Sequence, residues 1–354
     1  MQHQHQARGR ICRLLIVAAW GAALGTSPLR GQRPLQWPPA PELARIRYEG
    51  SFQRLDDSPV SRSFWRRVLR AVIGPGDSYN MVRPFGISTD PQGRIIVVDT
   101  EQRLVHVLDY SRHRYLHLAG SPRERFGSPI GTVVDHEGNV YVSDSLLGKI
   151  FVFHANGKFW HYLGDLEGEG RFRRPTGLAF DPDRHLLYLT DTLYHKIFVL
   201  DLDGRVVRSF GKRGSDPGEF NYPVAVAFSQ DRLYVVDAMN FRIQILDLAG
   251  RALGQVGRAG DGSGTFSKPK SIALDSEGHL YVVDSFFEVV QIFDQDGRFL
   301  LDFGGTGSDS GQFQLPTGIF IDPADRIYVA DSYNSRVQVF QYLKAKEPNQ
   351  PEAQ

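Results

Sequence analysis

Six aspartates recur at nearly constant spacing and are the first residues whose type and pattern could support chemistry. They are 45, 47, 46, 47 and 47 residues apart: Asp99, Asp144, Asp191, Asp237, Asp284 and Asp331. Carboxylates that converge on one point can hold a metal ion or act as general acids and bases. Each of these, however, ends a short apolar run, and five of the six precede Ser or Thr. Such an aspartate accepts hydrogen bonds from the next backbone N–H groups. We therefore favour six separate structural turns over one acidic site.

The histidines and the cysteine give no second pattern that could bind a metal. Six histidines fall at different places relative to the aspartates: His106, His136, His154, His161, His195 and His279. Of these, His195 lies in a loop and is the one to watch. The single cysteine, Cys12, precedes the first long apolar stretch, which excludes disulfides and thiolate sites from the rest of the chain. The sequence predicts no metal site and no cofactor.

The elements that must position these residues are repeated strands. Six segments align, each beginning at a proline: Pro84, Pro129, Pro175, Pro223, Pro269 and Pro316. Apolar residues alternate after each proline, as in a strand, and a second apolar run ends at the recurring aspartate. Two further strands complete each repeat. Periods of about 40–50 residues with four strands are typical of propeller blades. The sequence therefore predicts an all-β, six-bladed β-propeller.

The repeat also resembles a known family. The runs Pro175-Thr-Gly-Leu, Leu280-Tyr-Val-Val-Asp-Ser and Gly311-Gln-Phe-Gln-Leu-Pro are similar to NHL repeats, and the similarity extends over about residues 76–343. This resemblance implies a six-bladed propeller, in agreement with the count of repeats. Together with the N-terminal pattern described below, it makes the chain similar to bacterial exported NHL-repeat proteins. The peptide-amidating lyases share this fold and use a histidine-bound zinc, but no matching set of histidines is found here.

The ends of the chain carry their own patterns. Residues 1–25 combine arginines with an apolar stretch of eleven residues and small residues before Thr26, which predicts a signal peptide. Cleavage would release the protein to the periplasm or the extracellular space, and an uncleaved signal would anchor it to the membrane. Residues 26–44 predict a proline-rich extended arm, and residues 344–354 a disordered tail.

The propeller itself is predicted to span residues 45–343. The last repeat ends after its third strand, so the strand-like residues 45–52 are expected to supply the missing fourth strand and close the ring. Residues 63–73 predict one amphipathic helix with arginines on its polar face. We favour packing of this helix on the propeller. Contact with a membrane is the alternative.

The predicted channel along the axis lacks catalytic side chains. The second and fourth residues after each proline should face the channel, and they are small or apolar: Gly86, Ser88, Gly131, Val133, Gly177, Ala179, Ala225, Ala227, Ser271, Ala273, Gly318 and Phe320. Calcium needs six to eight oxygen ligands, and hydrolysis needs a base or a bound metal. We therefore expect no enzyme site on the axis.

The loops after the aspartates are expected to share one face with the connections between blades, and they carry large apolar and basic residues. The candidate binding residues are Tyr194, His195, Met239, Phe241, Phe286, Phe287, Tyr333, Arg103, Arg125, Arg173 and Lys270. Aromatic side chains are favoured anchors at interfaces. We predict a non-catalytic scaffold that binds a protein or an extended peptide. The net charge of +1 and the export signal disfavour nucleic acid. The alternative is a metal-dependent lyase or lactone-type hydrolase, with a site built by loops at the channel mouth.

Overall fold

The computed structural model describes residues 34–54, 80–164 and 172–344. The predicted signal peptide, the helix predicted at residues 63–73 and residues 345–354 of the predicted tail lie outside this described part. The predicted arm is described only from residue 34 onward. Among the described residues, no helix is long and apolar enough to span a bilayer.

The described strands are arranged in six antiparallel sheets, the blades. Blade 1 consists of β3 (Pro84–Thr89), β4 (Ile95–Asp99), β5 (Leu104–Asp109) and β6 (Arg114–Leu118). Blade 2 consists of β7 (Pro129–Val134), β8 (Val140–Asp144), β9 (Lys149–Phe153) and β10 (Phe159–Leu163). Blade 3 consists of β11 (Pro175–Asp181), β12 (Leu186–Asp191), β13 (Lys196–Asp201) and β14 (Val206–Phe210). Each innermost strand begins at one of the six prolines identified in the sequence.

The other three blades follow the same pattern. Blade 4 consists of β15 (Pro223–Ser229), β16 (Arg232–Asp237), β17 (Arg242–Asp247) and β18 (Ala252–Val256). Blade 5 consists of β19 (Pro269–Leu274), β20 (Leu280–Asp284), β21 (Val289–Phe293) and β22 (Phe299–Gly304). Blade 6 consists of β23 (Pro316–Ile321), β24 (Arg326–Asp331), β25 (Arg336–Tyr342), β2 (Ile46–Phe52) and β1 (Gln36–Trp37).

The innermost strands of neighbouring blades contact one another around a complete ring, and β23 of blade 6 contacts β3 of blade 1. The predicted all-β, six-bladed fold is confirmed. The buried apolar residues form six clusters, each made by two adjacent blades. The second strands are buried at nearly every position, as in β4 and β8, and successive side chains of a strand point to opposite faces, so both faces of each blade pack against a neighbour.

Blade 6 is built from both ends of the described chain. In the structure β2 pairs with β25, with Ile46 opposite Tyr342 and Phe52 opposite Val337. The arm also contributes, which the sequence did not indicate: β1 adds a fifth strand outside β2. Trp37 of β1 packs its ring 5.8 Å from those of Phe340 and Phe303, so the arm joins the core cluster of blades 5 and 6.

Candidate binding site

The upper face, as we define it, carries the loops between the second and third strands of each blade and the connections between blades. The recurring aspartates lie beneath it, fully buried. Asp144 shows how they act: its carboxylate accepts hydrogen bonds from the backbone N–H groups of Gly127 at 2.7 Å and Ser128 at 3.0 Å, in the connection before blade 2. It also accepts from Leu146 at 3.1 Å and Leu147 at 3.0 Å, in the loop after β8. Each carboxylate therefore ties a connection to a loop.

The other aspartates repeat this role with local changes. Asp99, Asp191 and Asp284 accept from backbone N–H groups of both segments. In blades 4 and 6 side chains replace part of this set, because Arg242 donates to Asp237 at 2.9 Å and Arg336 donates to Asp331 at 2.7 Å. The hydrogen bonds support six structural turns, as the sequence indicated. That the same carboxylate also holds the preceding connection is a finding of the structure.

The second residue after each aspartate forms a ring on the upper face, and in five blades it is large and apolar. We call these five residues the rim: Leu146, Leu193, Met239, Phe286 and Tyr333. Leu146 is 70% exposed and Phe286 is 67% exposed, while Met239 and Tyr333 are more than half exposed. Leu193 is partly buried. The loop backbones that carry the rim are anchored by buried aspartates, so these side chains are presented to solvent from a rigid support.

The remaining aromatic candidates lie close to the rim but differ in exposure. Tyr194 is exposed, and the guanidinium of Arg173 lies 5.5 Å from the centre of its ring. Phe287 is partly buried, with its ring 5.8 Å from that of Phe286. Phe241 packs against the core cluster of blades 4 and 5. The structure therefore places Phe286 beside Phe287 and Tyr194 beside Arg173. Phe241 instead packs towards the core and supports its loop.

His195 occupies a buried position in the upper loop of blade 3, with 9% of its surface exposed. Its Nδ1 accepts a hydrogen bond from the backbone N–H of Tyr222 at 3.1 Å. Burial lowers the pKa of His195, and the nearby positive charge of Arg213 lowers it further. The neutral imidazole thus joins blade 3 to the connection before blade 4. It supports the surface rather than facing a partner.

His106 is also structural. It is fully buried in β5, its Nδ1 lies 2.9 Å from the hydroxyl of Tyr115, and its Nε2 lies 3.5 Å from Asp99. Burial alone would raise the pKa of Asp99. Hydrogen bonds from His106 and from the backbone N–H groups of Gln102 and Val82 stabilise the charged carboxylate more strongly, so the pKa of Asp99 is lowered overall. Within the described ranges, no group of three His, Cys, Asp or Glu side chains is placed to hold a metal ion.

The channel along the axis encloses a cavity of about 280 Å³. All twelve predicted second and fourth positions line it, together with third positions such as Ile87 and Ile319. Its glycines allow the innermost strands to approach closely: a Cβ at Gly131 would clash with the backbone oxygen of Thr176, and one at Gly318 with that of Phe85. These lining residues offer no acid or base for catalysis.

A second cavity, of about 630 Å³, opens at the upper end of the channel. We call it the mouth. Residues adjacent to the blade prolines line it, among them Phe85, Arg174, Lys268 and Lys270. Lys270 was expected on a connection between blades but lies in the innermost strand β19, directly after Pro269. Arg103 and Arg125 are exposed, and neither lines the mouth.

Sequence reasoning missed the mouth for a simple reason. The second and fourth residues after each proline were followed along the axis, whereas the mouth is lined by residues directly before and after the prolines. The signal was present in the basic residues at these positions, Arg174, Lys268 and Lys270.

Comparison with known proteins agrees with this architecture. Residues 313–340 match a family model for the NHL repeat, and residues 221–291 match one described as a 6-bladed beta-propeller. NHL repeat-containing protein 2 of Bos taurus is 29% identical over 159 residues, which cover 36% of this chain and 22% of that protein. A gluconolactonase of Zymomonas mobilis is 29% identical over 157 residues, covering 39% and 44% of the two chains. The chain therefore matches less than half the length of these relatives.

A solved structure shows the same fold at lower identity. An auxiliary nutrient binding protein from Bacteroides thetaiotaomicron superposes with a TM-score of 0.57 and 15% identity, covering 74% of this chain and 69% of that one. The sheets, their ring of contacts and these similarities define a six-bladed β-propeller. Within this propeller, residues 313–340 match the NHL repeat, so the chain resembles NHL-repeat proteins in that segment as well as in fold.

Proposed function

We propose that this propeller is a non-catalytic interaction scaffold that binds a protein or an extended peptide on its upper face. The rim is the observation that carries the proposal. Exposed apolar side chains contribute nothing to folding, whereas burying one against a partner is worth about 1.5–3 kcal/mol. Several such side chains at the same position of successive blades, on loops fixed by buried carboxylates, form a preorganised surface.

Export is part of the same proposal. The predicted signal in residues 1–25 would place the scaffold in the cell envelope or outside the cell, where its partner must also be found. Cell fractionation followed by sequencing of the mature N-terminus tests this, and a cytoplasmic chain that begins at Met1 would refute it.

The binding proposal is tested by capture of partners with and without the aromatic pair. The variant Phe286→Ala with Phe287→Ala should keep its melting temperature within a few degrees, because Phe286 is exposed and Phe287 only partly buried. Capture by crosslinking and affinity purification from the native envelope should fall about tenfold or more, since two aromatic anchors are lost.

Leu300→Ala is the matched control. Leu300 is exposed like the rim residues, but it lies on the outer strand β22, away from the upper face. Its capture should equal that of the unmodified protein. Equal capture by the aromatic double variant would show that the upper face is not the binding surface.

The similarity to a gluconolactonase favours an enzyme as the second candidate. Such an enzyme would need a loop-built site at the channel mouth. Metal analysis of the purified protein, together with assays on lactones, separates the two candidates. Stoichiometric zinc or calcium with lactone hydrolysis would replace the scaffold proposal.

A further inference from the structure

Three cationic side chains lie around the upper opening of the channel. Arg174, Lys268 and Lys270 all line the mouth. Among the described residues, none of the three forms an ion pair with an Asp or Glu. Some other surface cations are paired, as Lys212 is with Glu219 at 2.9 Å and Lys149 with Glu124 at 3.1 Å. Isolated cations such as Lys158 also occur on the described surface, but these three are grouped in one cavity. The described part of the mouth therefore carries three cations that form no ion pair within it.

Lys270 is the least solvated of the three. It lies on β19, inside the ring of innermost strands, and is partly buried. Burial lowers the pKa of Lys270, and repulsion from Lys268 and Arg174 lowers it further. A bound anion would offset both effects, because it supplies opposite charge where water is partly excluded.

The positions of two of these cations are fixed by the buried aspartates. The backbone N–H of Arg174 donates to Asp191 at 3.1 Å, and that of Lys268 donates to Asp284 at 3.1 Å. Each of these residues immediately precedes the proline that opens its innermost strand. The backbone of these two cationic residues is thus held in place before a ligand binds, which reduces the entropy cost of binding.

The rest of the lining is of two kinds. Hydroxyl groups come from Ser145, Thr176, Thr192 and Ser267. Apolar side chains come from Phe85, Ile130, Val224 and Met239. Blade 2 lies across the ring from blade 5, so Ile130 lies opposite the lysines. A cavity of this kind fits a group with one charged end and an apolar body, whereas a polyanion such as nucleic acid would gain nothing from the apolar wall.

We propose that the mouth is a binding site for the carboxylate of an otherwise apolar ligand, with Lys270 as the principal counter-charge and Arg174 and Lys268 beside it. The carboxylate could belong to a free organic acid or to the carboxyl terminus of a peptide. This inference goes beyond the proposed function, because it depends on the cavity and its cations, and of the rim residues only Met239 lines the mouth.

The test uses 4-phenylbutyrate and its uncharged counterpart 4-phenylbutanamide as probes, with isothermal titration calorimetry on the purified chain. The acid should bind about tenfold or more tightly than the amide, because a hydrogen bond assisted by charge is lost in the amide. N-acetyl-leucyl-phenylalanine and its C-terminal amide form a second pair. Tighter binding of the peptide acid than of 4-phenylbutyrate would identify a peptide terminus as the source of the carboxylate, and the reverse order a free acid.

Variants locate the site. Lys270→Met removes the charge but keeps most of the side-chain length, and it should weaken binding of the acid about tenfold without changing binding of the amide. Lys268→Met should weaken it less, and it serves as the working variant if Lys270→Met does not fold. Lys158→Met is the matched control, because Lys158 is exposed on the turn between β9 and β10, away from the mouth.

Three results would overturn the inference: equal binding of acid and amide, no binding of either acid at millimolar concentration, or equal affinity of Lys270→Met and Lys158→Met for the acids. Phe286→Ala with Phe287→Ala should leave probe binding intact. Loss of partner capture in that variant with normal probe binding, or the opposite result, therefore tells the two proposals apart.

Discussion

The buried aspartates illustrate how one residue type can organise a surface without taking part in recognition. Asp284 accepts hydrogen bonds from Ser267 at 2.7 Å and Lys268 at 3.1 Å, before blade 5, and from Phe286 at 3.0 Å, in the following loop. A single carboxylate thus positions one cation of the mouth and one aromatic residue of the rim. Mutating it should disturb both proposed binding regions through the backbone.

Asp284→Ala is expected to lower the free energy of unfolding by about 2–4 kcal/mol, because it leaves several buried N–H groups without acceptors. Chemical denaturation measures this. Asp296→Ala serves for comparison, since Asp296 is exposed and should change stability by no more than about 0.5 kcal/mol. Similar values for the two variants would contradict the structural role given to the buried carboxylate.

At the scale of the elements, the innermost strands determine how closely the blades approach. Gly131 of β7 has no Cβ, and its backbone lies against Thr176 of β11 in the next blade. Its N–H donates to the hydroxyl of Ser143 at 2.9 Å, which also holds it to β8 of its own blade. The small residues on the axis therefore serve packing of the ring.

Gly131→Ala should destabilise the protein by about 1–3 kcal/mol, because the added methyl group forces two innermost strands apart. Gly254→Ala is the matched control: Gly254 lies on the outer strand β18, and a Cβ there would meet nothing within 4 Å. That change should be neutral or stabilising by about 0.5 kcal/mol. Thermal unfolding compares the melting temperatures of the two variants, and equal values would refute the packing argument.

At the scale of the whole molecule, stability depends on the pairing of β2, near the N-terminal end of the described chain, with the last strand, β25. Phe52 of β2 is buried between blades 6 and 1, where it packs with Met81, Ile87 and Val337. Its ring also lies 5.6 Å from that of Tyr110 in blade 1. The N-terminal strand therefore contributes to the interface between two blades as well as to the sheet of its own blade.

Phe52→Ala should cost about 3–5 kcal/mol, as expected for truncation of a buried aromatic residue. Urea denaturation followed by circular dichroism gives this value. Leu43→Ala, a change at an exposed position a few residues earlier, should have almost no effect. A loss below about 1 kcal/mol for Phe52→Ala would mean that the ring is stable without this interface.

Much of the architecture follows from local pattern. The period of about 46 residues, the prolines at the start of the innermost strands and the aspartates at the end of the second strands depend on hydrogen bonding and alternation within one repeat, so they can be recognised in the chain itself. The small residues on the axis can also be recognised from the sequence, because strand alternation assigns them to one face of the innermost strand.

The sites depend on contacts between repeats, which local pattern does not describe. Whether His195 faces solvent or bonds to Tyr222 is decided by the neighbouring connection, 27 residues further along the chain. Likewise Arg174 is far in sequence from Lys268 and Lys270, and it comes to the same cavity only because the blades close into a ring. Their meeting is set by tertiary packing, since the charge of each residue does not show which other strand ends will lie beside it.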